Sequence, residues 1–163
     1  MDEQNPEPWY RRGLRGACAG CVATGAMSLV QFTGARSGRR HPPPIEITRR
    51  LHVPVPGRTP RGPSLYRRGI ALHVLFGTLC GALYGIVAPS KLREATATAY
   101  AALLYGAAYR GLLTALGLHP HPARDDARRQ ATNAVAHLVY GITLAEVMRA
   151  TDPAPSEPQL DVA

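Results

Sequence analysis

His73-Val-Leu-Phe-Gly77-Thr-Leu-Cys-Gly81-Ala-Leu-Tyr-Gly85 stands inside a run of 22 residues, between Arg68 and Lys91, that carries no formal charge. His73, Gly77, Gly81 and Gly85 recur at every fourth position. In a helix they therefore share one face, stacked over about 18 Å at ~1.5 Å rise per residue. An uncharged run of this length is long enough to cross the hydrocarbon core of a bilayer. Glycine at every fourth position lets a second helix backbone approach closely, which is how helices associate in lipid. In a soluble helix interior each such glycine costs ~1 kcal/mol relative to alanine. The ladder therefore favours a membrane span over the alternative of an Ala/Gly-rich soluble core.

Three further apolar stretches surround it. Arg15 to Arg36 encloses 20 uncharged residues, and Glu94 to Arg124 encloses 29 interrupted only by Arg110. Arg129 to Glu146 encloses 16, with Val147 and Met148 extending the pattern. The mean hydropathy of −0.12 is modest, as expected for helices built from small residues that transfer weakly yet pack well. At 163 residues the chain makes one domain. The reading is an all-α integral membrane protein, a four-helix transmembrane bundle of two helical hairpins occupying residues 13–149. Its spans fall at about 13–32, 69–88, 95–118 and 130–148. Residues 1–12 read as a flexible N-terminus and 150–163 as a disordered, proline-rich tail. In the connection 36–68, Pro42-Pro43-Pro44 precedes Ile45-Glu46-Ile47-Thr48-Arg49-Arg50-Leu51, which predicts a short interfacial helix.

The net charge of +8 is concentrated in that connection, where nine arginines face Glu46 alone. The segment has no aromatic interleaving and no nucleic-acid motif, which argues against a nucleic-acid partner. Beside two spans it reads as a basic cytoplasmic loop resting on anionic lipid. Lys and Arg number 12 in the two loops on that side and 6 on the other, which places the basic loop in the cytoplasm and both termini outside. The acidic N-terminus, with Asp2, Glu3 and Glu7, does not read as a cleavable signal.

An internal echo links two of the spans. His73-Val-Leu-Phe-Gly77 and His137-Leu-Val-Tyr-Gly141 both read His, two aliphatics, an aromatic, then Gly, followed by a small residue at Gly81 and Ala145. A duplicated helical hairpin produces this pattern, and so does chance among Gly/Ala-rich spans.

Several pieces together resemble the YagU-like family of small bacterial inner-membrane proteins. They are Gly16-Ala-Cys-Ala-Gly20, Pro43-Pro44-Ile45-Glu46-Ile47-Thr48, His73 to Gly85, Ala115-Leu-Gly117-Leu-His-Pro120 and Ala136-His137-Leu-Val-Tyr140-Gly141. They cover residues 13–149. The resemblance implies a polytopic helical membrane protein with no established reaction. Arg110 departs from the apolar third span that such proteins would have.

Three constellations can carry chemistry. His73, His137 and Arg110 fall about 6–11 Å deep on one side of the bundle at ~1.5 Å per residue. They can hold an anion or handle protons, with Arg110 as fixed charge, or the two imidazoles can ligate haem b. Equally, each histidine can bond a helix carbonyl while Arg110 snorkels to the interface. Cys18 and Cys21 form a Cys-x-x-Cys pair near the expected depth of Cys80, readable as redox or metal use or as small apolar packing. Tyr100, Tyr105, Tyr109 and Tyr140 can line a cavity or anchor at the interface, and Glu146 can face headgroups or pair with Arg149. No catalytic triad order, phosphate loop or paired carboxylates occur, so the expected role is non-enzymatic: structural, accessory or envelope-stress. That role would act through Gly77, Gly81, Gly85 and Gly141 as helix-packing positions, with the bilayer and a homo-oligomer or membrane-protein partner. The alternative is a redox or transport component using His73 and His137.

Overall fold

The computed structural model describes residues 7–36, 41–51, 62–88, 93–118, 121 and 124–152. Within them the chain is helical throughout, with no strand. Helix α1 spans Trp9–Arg36, α2 Pro43–Arg50 and α3 Pro63–Val87. Helix α4, Arg93–Leu103, continues as a π-helical segment, Leu104–Leu112, and a last turn, α5, Leu113–Ala115; α6 spans Ala127–Ala150. Two of these helices, Trp9–Gly34 and Pro63–Val87, are long and apolar enough to cross a membrane. The expectations for residues 1–6, for much of the basic connection and for the tail from residue 153 lie outside the described residues.

The helices begin earlier than the apolar pattern suggests, because polar capping adds turns outside the apolar runs. Residues 9–12, expected to be flexible, are helical: the Pro8 carbonyl accepts from the Arg11 and Arg12 amides at 3.0 and 3.2 Å. Helix α3 starts at Pro63, whose fixed φ suits a first turn, six residues before the expected Gly69. Helix α6 starts at Ala127 because the Asp126 carboxylate accepts from the Arg129 amide at 3.0 Å. A short helix forms where Pro43 and Pro44 predict one.

The third expected span, 95–118, is not one regular α-helix. It widens into the π-helical segment after Leu103 and ends at Gly117, whose φ of 68° closes the last turn. Leu104–Leu112 contains no proline and no periodicity change that marks this widening.

Helix α1 packs along α3 and α6, α6 also packs on α4, and α2 packs on α3. The α1–α3 contact is backbone against backbone. A Cβ on Gly20 would lie 2.5 Å from the Gly77 carbonyl oxygen and 2.8 Å from Gly81 Cα. Cβ atoms on Gly16 and Gly85 would collide with the carbonyls of Gly81 and Arg12. On the other side, a Cβ on Gly141 would come within 2.9 Å of Ala101 Cβ and the Ala97 carbonyl.

The core between these helices is built mainly from small and polar side chains. Ala19, Ala23, Ala97, Ala101, Ala136 and Ala145 are buried together with Thr24, Gln31 and Asn133, and Met27, Tyr84, Tyr140, Leu144 and Met148 join them. Most of the large aliphatics on the long helices point outward: Leu29 is 70% exposed, Leu79 60%, Leu112 58% and Ile142 51%. At one end Arg15 pairs with Glu7 at 3.0 Å and with Asp152 at 2.9 Å, bringing the start of α1 to the end of α6. Arg12 caps α3 there, donating to the carbonyls of Gly85 at 3.1 Å and Ala88 at 2.8 Å.

Candidate functional site

Where glycines bring α1 onto α3, tyrosines hold α3 away from α4 and α6. Tyr140 donates to the Gly77 carbonyl at 2.8 Å and Tyr100 to the Cys80 carbonyl at 2.9 Å. The Tyr84 and Thr96 hydroxyls meet at 2.8 Å, and the Tyr84 and Tyr100 rings lie 5.3 Å apart. Long side chains thus bridge a gap that small ones would close. The gap is a cavity of about 400 Å³, bounded by α1, α2, α3, the π-helical segment and α6. That volume falls in the range of small-ligand sites.

Along α3 the lining runs from Gly69 to Cys80, about 16 Å at ~1.5 Å rise per residue. One flank is open, since Leu72, Leu75, Phe76 and Leu79 are lining residues that are also exposed. Helix α2 closes the end near Gly69. Its Ile45 is fully buried against Gly69, where a Cβ would lie 2.6 Å from Ile45 Cδ1. Pro44, Ile47 and Thr48 of α2 line the cavity directly.

Helix α2 is held in shape by one buried carboxylate. Glu46 accepts from Arg49 Nε and Nη2 at 3.1 and 2.8 Å and from Arg50 Nε at 2.8 Å. Burial alone would raise its pKa, but the hydrogen bonds and charge of the two guanidiniums prevail and hold it down to about 2. Arg50 also donates to the Gly117 carbonyl at 3.2 Å, tying α2 to the turn that follows α5.

Both ladder histidines line the cavity. His137 is buried and its Nδ1 lies 2.7 Å from the Asn133 carbonyl; because a carbonyl can only accept, Nδ1 carries the proton. Buried His73 Nε2 has no hydrogen-bond partner. Arg110 does not join them in the cavity. It is exposed, 6.0 Å from the Tyr105 ring centroid, and Tyr105 in turn lies 5.2 Å from the His137 ring. The arginine reaches the histidine pair only through that ring.

The remaining candidates separate. Cys18 and Cys21 are exposed on α1 while Cys80 lines the cavity, all three as free thiols. Of the tyrosines, Tyr140 lines the cavity, Tyr100 and Tyr105 support its walls from outside, and the Tyr109 side chain lies outside the described set. Glu146 pairs with Arg149. Among the described residues no three His, Cys, Asp or Glu side chains gather as metal ligands.

Sequence reasoning missed Gln31 and the α2 residues. Gln31 is only 3% exposed, lines the cavity, and its Oε1 has no hydrogen-bond partner. It is the one carboxamide in the uncharged stretch after Arg15, and that was the available signal.

Residues 10–159 match the family described as Family of unknown function (DUF6789). The chain belongs to that family. The matched region contains the glycine seam, every cavity-lining residue and helix α2, so the DUF6789 region and the folded body described above coincide. No curated protein and no solved structure matches the chain.

Proposed function

We propose that this DUF6789 protein is a four-span, non-enzymatic protein of the bacterial inner membrane, with an accessory or envelope-stress role exercised through helix packing and contact with anionic lipid. The observation that carries the reading is the largely inverted core: mainly alanine, glycine and buried amides inside, with most of the leucine and isoleucine outside on α1, α3, the π-helical segment and α6. In water such a surface would be an aggregation liability, whereas in lipid it is matched on all sides. Helices α4 to α5 and α6 supply the third and fourth spans in this reading, and the resemblance to YagU-like proteins supports the same membrane. The exposed Arg49, with Arg67 and Arg68, suits the anionic headgroups beside α2.

Cysteine accessibility in intact cells tests the topology, in a background lacking Cys18, Cys21 and Cys80. Arg49→Cys should label only after the inner membrane is opened, and Asp152→Cys from the periplasm. Labelling of both from one side would defeat the four-span reading.

A second reading is a redox or proton-handling component. It is favoured by the two histidines facing one cavity, with His137 Nδ1 committed to the Asn133 carbonyl as in histidines whose Nε2 serves as a ligand. Haem b would give the purified protein a Soret band that disappears in both His73→Ala and His137→Ala. A colourless preparation from haem-replete cells removes the haem branch.

A further inference from the structure

The cavity is lined by leucines with polar side chains set among them, and its end beneath α2 is unfinished. Thr24, Thr48 and Tyr140 spend their hydroxyls on the carbonyls of Gly20, Pro44 and Gly77. Gln31 Oε1 and His73 Nε2 remain, both buried and both without a hydrogen-bond partner. The antiparallel seam sets them one turn apart along the cavity: Thr24 meets Gly77, so two turns further along α1 and two turns back along α3 place Gln31 opposite Gly69 beneath α2, with His73 one turn nearer Gly77. A buried carboxamide oxygen left unpaired has given up its hydrogen bond to water and gained none in return, and a ligand donor placed there would restore it.

From that end the lining continues past Leu72, Phe76 and Leu79 to Cys80, with Leu104 and Leu112 opposite. Among the described residues no Lys, Arg, Asp or Glu lines the cavity. A charged head would be desolvated there without a counterion. An apolar chain would lie against the leucines and reach the cavity through the flank where they are exposed.

We infer that the cavity under α2 is a binding site for a neutral amphiphile with a hydroxyl head, such as a monoacylglycerol or a prenol. The hydroxyl donates to Gln31 Oε1 and meets His73 Nε2, and the single chain lies along α3 from Gly69 to Cys80. The inference rests on the membrane reading for the route of access, but its test reads occupancy and not topology.

The experiment uses the full chain in phosphatidylcholine nanodiscs and a monoacylglycerol bearing a diazirine in its chain. Photolabelling should map to residues 72–80 and 104–113. Excess monooleoylglycerol or a prenol of similar length should abolish it, the stronger of the two identifying the chain type. Oleate at the same excess should compete at least tenfold more weakly. Gln31→Leu, of similar volume, should weaken competition by monooleoylglycerol roughly tenfold, the loss of one buried hydrogen bond, while raising thermal stability without ligand. Competition by oleate as strong as by monooleoylglycerol overturns the hydroxyl head. Labelling that no excess displaces, or that spreads evenly over exposed leucines, overturns the site. Both readouts are made on the unmutated protein, so failure of a variant to fold leaves the test intact. Correct topology with undisplaceable labelling would reject the site and spare the membrane reading.

Discussion

The phenolic hydroxyl of Tyr140 donates to the carbonyl of Gly77 at 2.8 Å, joining residues 63 positions apart. These are neighbouring positions of the two echoed motifs: the aromatic of the second bonds the glycine of the first. Phe76, the equivalent aromatic of the first motif, has no hydroxyl and is exposed. The pair is therefore used asymmetrically, with one aromatic bridging and the other facing outward.

Tyr140→Phe tests the bridge with one atom. Interhelical hydrogen bonds in membranes average ~0.6 kcal/mol, and ~1 kcal/mol shifts Tm by about 2–4 °C for a chain of this size. A fall of about 1–3 °C in detergent is expected. An unchanged Tm would mean that Tyr140 packs without bridging.

The seam is expected to be far less tolerant. In Gly81→Ala the new Cβ meets the Gly16 carbonyl and lies 2.5 Å from Gly20 Cα, so the two backbones must separate. Overpacking of this kind costs about 1–3 kcal/mol or more. Gly25→Ala is the control: nothing lies within 4 Å of its added Cβ, and helix propensity alone should stabilise by up to ~1 kcal/mol. Equal Tm values for the two variants would show that the seam is not close-packed.

The inverted core gives opposite expectations for two apolar exchanges. Leu79→Ala, on an exposed position, should change stability by less than ~0.5 kcal/mol in lipid. Ala101→Leu, at a fully buried residue against Gly141, should destabilise by about 1–3 kcal/mol. Unfolding in mixed micelles compares them. The reverse order would indicate a conventional core.

Glu46 ties α2 to pH. Its carboxyl is held below the ordinary 4.5, at about 2, so its contribution is fully present above 4.5 and is lost as pH falls toward 2. Amide exchange at residues 45–50, corrected for intrinsic rates, should stay protected from pH 7 to 5 and weaken on further acidification. Glu46→Gln should be weakened already at pH 7 and show a flat profile. A carboxyl carbon that titrates near 4.5 by NMR would refute the paired geometry.

Much of the fold was legible because the period-four glycines and the proline-flanked α2 sequence are local signals. The seam followed from Gly77, Gly81 and Gly85, and the small helix from Pro43 and Pro44. The depth estimate brought His73 and His137 to one level, and the structure places both on one cavity. It failed for Arg110 because a regular helix was assumed: within the π-helical segment, rotational phase no longer follows 3.6 residues per turn, and the guanidinium ends up outside, beside Tyr105. Gln31 was passed over because one amide in an apolar run shows no period. Its importance appears only when its neighbours' hydrogen bonds are accounted for.

Three glycines on α3 serve two on α1, and that surplus has a mechanical meaning. Gly20 sits between Gly77 and Gly81; moved along by one turn, about 5.4 Å, it would find Gly81 and Gly85 in the same relation. The seam is thus a smooth rail with more than one stopping place. Its register is fixed by attachments off the rail: Arg12 on the α3 carbonyls, Ile45 seated against Gly69, Tyr140 on Gly77, Tyr100 on Cys80 and Tyr84 on Thr96. Those latches, and not the rail, choose where α3 stops.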